Sequence, residues 1–212
     1  MDFVAIDFET ATSSFTSLCS LGICVVENNK IVERKGIYIR PEPFEFNPYN
    51  IKIHGIRPEM VENMPTFDKY WREIKPYIEG KTVIAHNASF DIVALCETLD
   101  MYNIPYPAFD YLCTVKLSQK AYPELTSHKL NKLCDALGIK FQHHKAYDDA
   151  YACARVMLRV LEDYSLFTLD EVDECFEMEI GHVYEGCHIK CKKNKQKPKK
   201  VKQAKITIPG EK

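Results

Sequence analysis

Residues 2–8 read DFVAIDF and are followed by Glu9 and Thr10. The run is short, apolar and rich in β-formers, which predicts a buried strand. Two further runs, CSLGICVV at 19–26 and IVERKGIYI at 31–39, are separated by Glu27-Asn28-Asn29-Lys30. Turn residues between two β-rich runs predict a hairpin, so the three strands form a meander. Beyond them, TVIAH at 82–86 and Phe109–Leu112 predict two more strands. Apolar spacings of three and four predict helices over Arg57–Glu62, Thr66–Ile78, Ser89–Met101, Thr114–Ala121, His128–Leu137 and Tyr147–Tyr164. Residues 41–56, rich in proline and aromatics, predict a long loop. Strands first, then strands interleaved with helices, imply an α/β fold with a mixed sheet flanked by helices.

The first strand carries chemistry. Asp7 and Glu9 are two apart, and a strand's period of two points both carboxylates to one face while Phe8 points to the other. Two carboxylates side by side are costly unless cations neutralise them, and oxygen-only clusters suit Mg²⁺ or Mn²⁺. At the end of the fourth strand, His86-Asn87-Ala88-Ser89-Phe90-Asp91 runs into a helix and places Asp91 in its first turn. Asn87 or Ser89 capping that helix explains part of this segment. Strand ends are also where α/β sheets carry their sites. A third segment, His143-His144-Lys145-Ala146-Tyr147-Asp148-Asp149-Ala150, leads from histidines on a loop to acids at the start of the longest helix. Asp148 or Asp149 could simply cap that helix. A histidine beside metal-held carboxylates could also accept a proton from water. His143 to Asp148 and His144 to Asp149 have equal spacing, and spacing alone does not choose between them.

Together and in this order, the segments resemble the DnaQ-like 3′→5′ exonuclease family of the DEDD superfamily, in its histidine subgroup. Its D-x-E, H/N-x-x-F-D and H-x-A-x-x-D-A patterns match Asp7-Phe8-Glu9-Thr10, Asn87-Ala88-Ser89-Phe90-Asp91 and His144-Lys145-Ala146-Tyr147-Asp148-Asp149-Ala150. Ile53-His54-Gly55-Ile56 followed by Pro58-Glu59-Met60 is similar to a segment of proofreading-type members. The tyrosine subgroup's Y-x-x-x-D pattern is absent, since Lys145 stands four before Asp149. The resemblance spans about residues 2–164. It implies an RNase H-like sheet and two Mg²⁺ or Mn²⁺ ions on Asp7, Glu9, Asp91 and Asp149. It implies His144 as the catalytic base, because Ala146 and Ala150 match the family's small residues only in that register. Thr10, His54, Asn87 and Phe90 become candidates for holding the substrate. The implied reaction releases nucleoside 5′-monophosphates from nucleic-acid 3′ ends, with single-stranded DNA the expected substrate. RNA 3′-end trimming and an inactive binding module are the alternatives, and a DNA polymerase is a candidate partner.

Composition sets the frame. The 212 residues are 46% hydrophobic and 27% charged, with no eighteen-residue apolar run, so no membrane span is expected. No secretory signal is visible, and nine cysteines within apolar segments suit reduced thiols in the cytoplasm. The net charge of −2 divides unevenly: 18 basic against 29 acidic residues through Ile189, then ten lysines against one glutamate from Lys190. An acidic body does not suit a duplex-wrapping protein, whereas a basic tail suits a phosphate backbone. The expected organisation is an exonuclease domain at 1–166, an acidic helical extension at 167–189 and a basic, disordered tail at 190–212. A zinc knuckle from His182, Cys187, His188 and Cys191 is disfavoured, because Cys187 and His188 are adjacent and no second knuckle follows.

Overall fold

In the computed structural model, residues 1–193 are described. The elements are β1 (Phe3–Thr10), β2 (Leu18–Glu27), β3 (Lys30–Tyr38), α1 (Pro48–His54), α2 (Pro58–Val61), α3 (Phe67–Ile78), β4 (Thr82–Ala85), α4 (Ser89–Met101) and β5 (Phe109–Cys113). They continue with α5 (Thr114–Ala121), α6 (Leu130–Leu137), α7 (Ala146–Tyr164), α8 (Leu169–Phe176), β6 (Met178–Glu179), β7 (Gly181–Tyr184), β8 (Cys187–Ile189) and β9 (Lys192–Lys193). The main sheet has seven strands in the order β3-β2-β1-β4-β5-β7-β8. β1 runs parallel to β4 and β4 parallel to β5, while the remaining neighbours are antiparallel. This is the expected mixed sheet. No helix among the described residues is long and apolar enough to cross a membrane.

The meander forms as expected. Asn28 and Asn29, at φ 51° and 60°, make a two-residue turn between Glu27 and Lys30. Asparagine tolerates that left-handed backbone, which matches the twist of a hairpin. β1 and β4 lie inside the sheet, and their nearly unbroken apolar runs reflect burial on both faces.

Two regions differ from expectation. The presumed loop 41–56 contains α1. Asn47 caps it by accepting the Tyr49 amide at 2.8 Å, Pro48 opens it, and Gly55 closes it at φ 74°. Cap, N-terminal proline and C-terminal glycine are all helix signals, masked by the proline and aromatic content around them. The second region is the extension, which is helical only through Phe176, behind a capping box formed by Thr168 and Glu171. It then turns to strand, and β7 pairs with β5 and lengthens the main sheet. Val172, Phe176, Met178, Val183 and Cys191 join the same apolar core as β1 and α7. Chain order therefore continues past 190, through Cys191 and the β6–β9 pair. The remainder of the basic tail, 194–212, lies outside the described residues.

Candidate active site

Asp7 and Glu9 project from β1 toward α7 and α4, while Phe8 is buried on the opposite face. Asp91, in the first turn of α4, is 2% exposed, and its Oδ1 accepts the Phe8 amide at 3.0 Å. That bond ties the helix start to the strand between the two acids. Asp149, in the first turn of α7, completes the group. One carboxylate oxygen each from Asp7, Glu9 and Asp149 lie within 4.8 Å of one another. They face a cavity of about 760 Å³, also lined by His86, Asn87, Phe90, His128, Lys129, His143 and His144.

Asp149 arrives there because the sheet receives α7 closely. Asp7, Gly22 and Gly36 stand opposite one another across three strands. A Cβ on Gly22 would fall 1.8 Å from the Ala146 carbonyl oxygen, and one on Gly36 would fall 3.3 Å from the Tyr147 Cβ. The two glycines therefore form a notch that seats the first turn of α7. Arg34 then holds the turn's orientation. Its guanidinium bonds Asp148 at 2.7 Å and lies 4.1 Å from the centres of both the Tyr147 and Tyr151 rings. A helix turns about 100° per residue, so Asp148 held by β3 sends Asp149 toward β1.

Crowded acids resist ionisation. Burial, then Asp91, Asp149 and Glu9, push Asp7 well above the usual carboxylate range. Burial, then Asp149 and Asp91, raise Glu9 to about 8. Asp91 rises to about 7 through burial, partly opposed by the Phe8 amide. Asp149 is also raised by burial, against the opposing effect of His143. An all-oxygen cluster that strains to hold its own charge, in an open cavity, fits a hard divalent cation.

Residues 4–157 match the RNase_T family model, described as Exonuclease. The chain belongs to this exonuclease family. The DnaQ-like resemblance of its motifs is thereby shown. The chain is 27% identical over 177 residues to the 3′-5′ exonuclease DinG of Staphylococcus aureus (strain USA300), a match covering 82% of this chain and 20% of the relative. It is 26% identical over 176 residues to a PolC-type DNA polymerase III of Caldanaerobacter subterraneus, covering 82% and 12%. It therefore spans only about a fifth and an eighth of these relatives' lengths. Among solved structures, Exonuclease X in complex with 5′ overhanging duplex DNA aligns with TM-score 0.66 and 22% identity, over 80% of this chain and 96% of that one. The nuclease domain of 3′hExo bound to rAMP aligns with TM-score 0.67 and 19% identity, over 76% and 92%. These neighbours show the fold to be RNase H-like.

Within this exonuclease fold the other candidate residues divide. Asn87, at φ 67°, and Phe90 line the cavity, and the Phe90 ring lies 5.5 Å from that of Phe15. Asn87 does not cap α4, whose first residue follows Ala88 with no side-chain cap. Neither Asp148 nor Asp149 caps α7, since Lys145 holds the cap position. Thr10 is buried, and its carbonyl accepts the Asn50 side chain at 2.9 Å. His54 is 2% exposed, accepts the Ile56 amide at 2.9 Å, and lines a smaller neighbouring pocket of about 300 Å³. Neither Thr10 nor His54 lines the carboxylate cavity. His144 lines both pockets.

The histidine loop differs from expectation in detail. His143 Nδ1, not His144, bonds Asp149 Oδ1, at 2.9 Å. His144, at φ 64°, is exposed and stacks on His143 with ring centres 3.8 Å apart. The left-handed turn at His144 folds the second ring back over the first. Sequence reasoning passed over Gly22, Gly36 and Arg34. The two glycines inside strands were a signal of close backbone approach. Arg34 gave none, because its partners lie more than a hundred residues away. The C-terminal zinc set is not assembled: His182 pairs with Asp110 at 2.6 Å, and Cys191 is buried with its amide on the Tyr111 hydroxyl.

Proposed function

We propose that this chain is a divalent-cation-dependent 3′→5′ exonuclease acting on single-stranded DNA ends and releasing nucleoside 5′-monophosphates. The observation that carries the reading is the convergence of Asp7, Glu9 and Asp149 in a cavity that also presents His143 and His144, with Asp91 buried close behind them. Asp7, Glu9, Asp91 and Asp149 would hold two Mg²⁺ or Mn²⁺ ions. Such ions supply charge stabilisation for the attacking and leaving oxygens and lower the pKa of a bound water. His144 would accept a proton from the attacking water. Burial and His143 lower its pKa, which favours the neutral, accepting form. Hydroxyl attack on phosphorus breaks the bond to the 3′ oxygen of the preceding nucleotide. Asn87 and Phe90 hold the terminal nucleotide, Phe90 by offering a ring face to its base.

DNA is favoured by the PolC-type relative, whose name is that of a DNA polymerase. That relative also makes a polymerase the protein partner to seek. RNA trimming keeps support from the structural neighbour bound to rAMP. Retention of all four acids and the histidine argues against an inactive binding module. Nine free cysteines, eight of them buried, support a reducing cytoplasmic setting. The test is digestion of matched 5′-labelled single-stranded DNA and RNA in Mg²⁺. Stepwise shortening of DNA at least tenfold faster than RNA is expected, and the reverse ratio would make the chain an exoribonuclease.

A further inference from the structure

Asp149 belongs to two potential ligand sets. One is the all-oxygen trio with Asp7 and Glu9; the other is His143, His144 and Asp149, whose donor atoms also lie within 4.8 Å of one another. The second set offers two imidazole nitrogens and one carboxylate oxygen. His143 Nδ1 already sits 2.9 Å from Asp149 Oδ1, and the His144 ring is stacked against His143 with planes 23° apart. Both histidines reach solvent, so a cation can enter from the cavity mouth.

We propose that His143, His144 and Asp149 form a Zn²⁺ site that competes with the oxygen site for Asp149 and shuts the nuclease off. Two imidazoles and a carboxylate are an ordinary three-ligand zinc set, with water in the fourth position. Sites containing nitrogen bind Zn²⁺ more tightly than Mn²⁺, whereas oxygen clusters suit Mg²⁺ and Mn²⁺. The two sets therefore sort cations by chemistry while sharing a residue. Occupation of the histidine set withdraws Asp149 from Asp7 and Glu9. It also fixes both histidines, so neither accepts a proton. The inhibitory half of the proposal rests on the exonuclease reading; the binding half does not.

The test uses the full chain in a Cys187→Ser background, which removes the one cysteine that is not buried. Co²⁺ is the first probe, because few-coordinate nitrogen sites absorb visible light far more strongly than octahedral oxygen sites. One equivalent of strong absorption is expected. It should be displaced by Zn²⁺, lost in a His143→Ala/His144→Ala variant and kept in a His182→Ala/His188→Ala variant. In Mg²⁺ assays normalised to each protein's own zinc-free rate, His143→Gln should need at least about tenfold more Zn²⁺ for half-inhibition. Weak absorption in the parent protein, or strong absorption surviving in the first double variant, overturns the site. Zinc binding without inhibition overturns its regulatory half. A chain with no Mg²⁺-dependent nuclease activity would sink the exonuclease reading, while the cobalt spectra would still decide the zinc site.

Discussion

The two sides of the carboxylate cluster are built differently. Asp7 and Glu9 stand on β1, a central strand hydrogen-bonded on both sides, and the strand's period alone puts them on one face. Asp149 stands at a helix start that follows a loop. Its direction depends on the Gly22–Gly36 notch and on Arg34, all distant in sequence. A strand fixes its side chains by local geometry, whereas a helix start fixes them by docking. The α7 side should therefore be the adjustable half of the site, and the β1 side the fixed half.

On the α7 side, the largest effect should come from the loop histidines. His144→Ala is expected to lower kcat by about 10²–10⁴, the range for losing a positioned base. His143→Ala should cost about tenfold or less, the equivalent of one hydrogen bond to Asp149. Raising pH should partly rescue His144→Ala by supplying hydroxide. If His143→Ala were the dead variant in single-turnover assays, the hydrogen bond seen here would mark the base and the register would shift by one residue.

Gly22→Ala comes next. Its Cβ meets backbone that cannot yield without moving α7, so a loss of about 1–3 kcal/mol in thermal or urea unfolding is expected. Mg²⁺ or Mn²⁺ affinity should weaken as well, because Asp149 moves with the helix. Unchanged metal affinity in a folded Gly22→Ala protein would show that docking does not set the ligand. Arg34→Ala removes an ion pair that is about a quarter exposed and two ring contacts, so a smaller loss of about 1 kcal/mol is expected. Its metal affinity should fall severalfold, with Arg34→Lys recovering only part because lysine lacks the planar group.

On the fixed side, the acids make stability depend on pH. Asp7, Glu9 and Asp91 have folded-state pKa values above their unfolded ones, so the native metal-free protein binds more protons than the unfolded chain. Each contribution is fully present below the unfolded value, near pH 4; that of Asp91 is lost as pH rises through about 7 and that of Glu9 through about 8. In EDTA the melting temperature should fall between pH 5 and pH 8, and added Mg²⁺ should restore more at pH 8. A melting temperature that climbs over this range without metal would contradict the buried like-charge cluster.

The same contrast explains what could be read from the sequence. β1, its acids and the Asn28-Asn29 turn were legible because their patterns are local. The start of α7 was legible as a helix, but the choice between Asp148 and Asp149 rested on a family pattern, since rotation is set by remote contacts. α1 hid behind prolines and aromatics although Asn47, Pro48 and Gly55 marked its ends. β7 and β8 were missed because each is only three or four residues long, although Glu185-Gly186 between them is a tight-turn signal. The separation of Thr10 and His54 from the carboxylate cavity could not be read at all, because Thr10 is buried beside Asn50 and His54 reaches a different pocket.

The central claim is that the four acids serve a cation-dependent exonuclease. The most direct measurement follows a 5′-labelled single-stranded oligonucleotide with the natural chain and Asp7→Asn, each in Mg²⁺ and in excess EDTA. The natural chain should shorten the strand one nucleotide at a time in Mg²⁺ only. Asp7→Asn should be inactive while remaining folded, and in EDTA at pH 8 it should melt no lower than the natural chain, having lost one member of a crowded acid cluster. Full activity in EDTA, or undiminished activity in Asp7→Asn, would contradict the account.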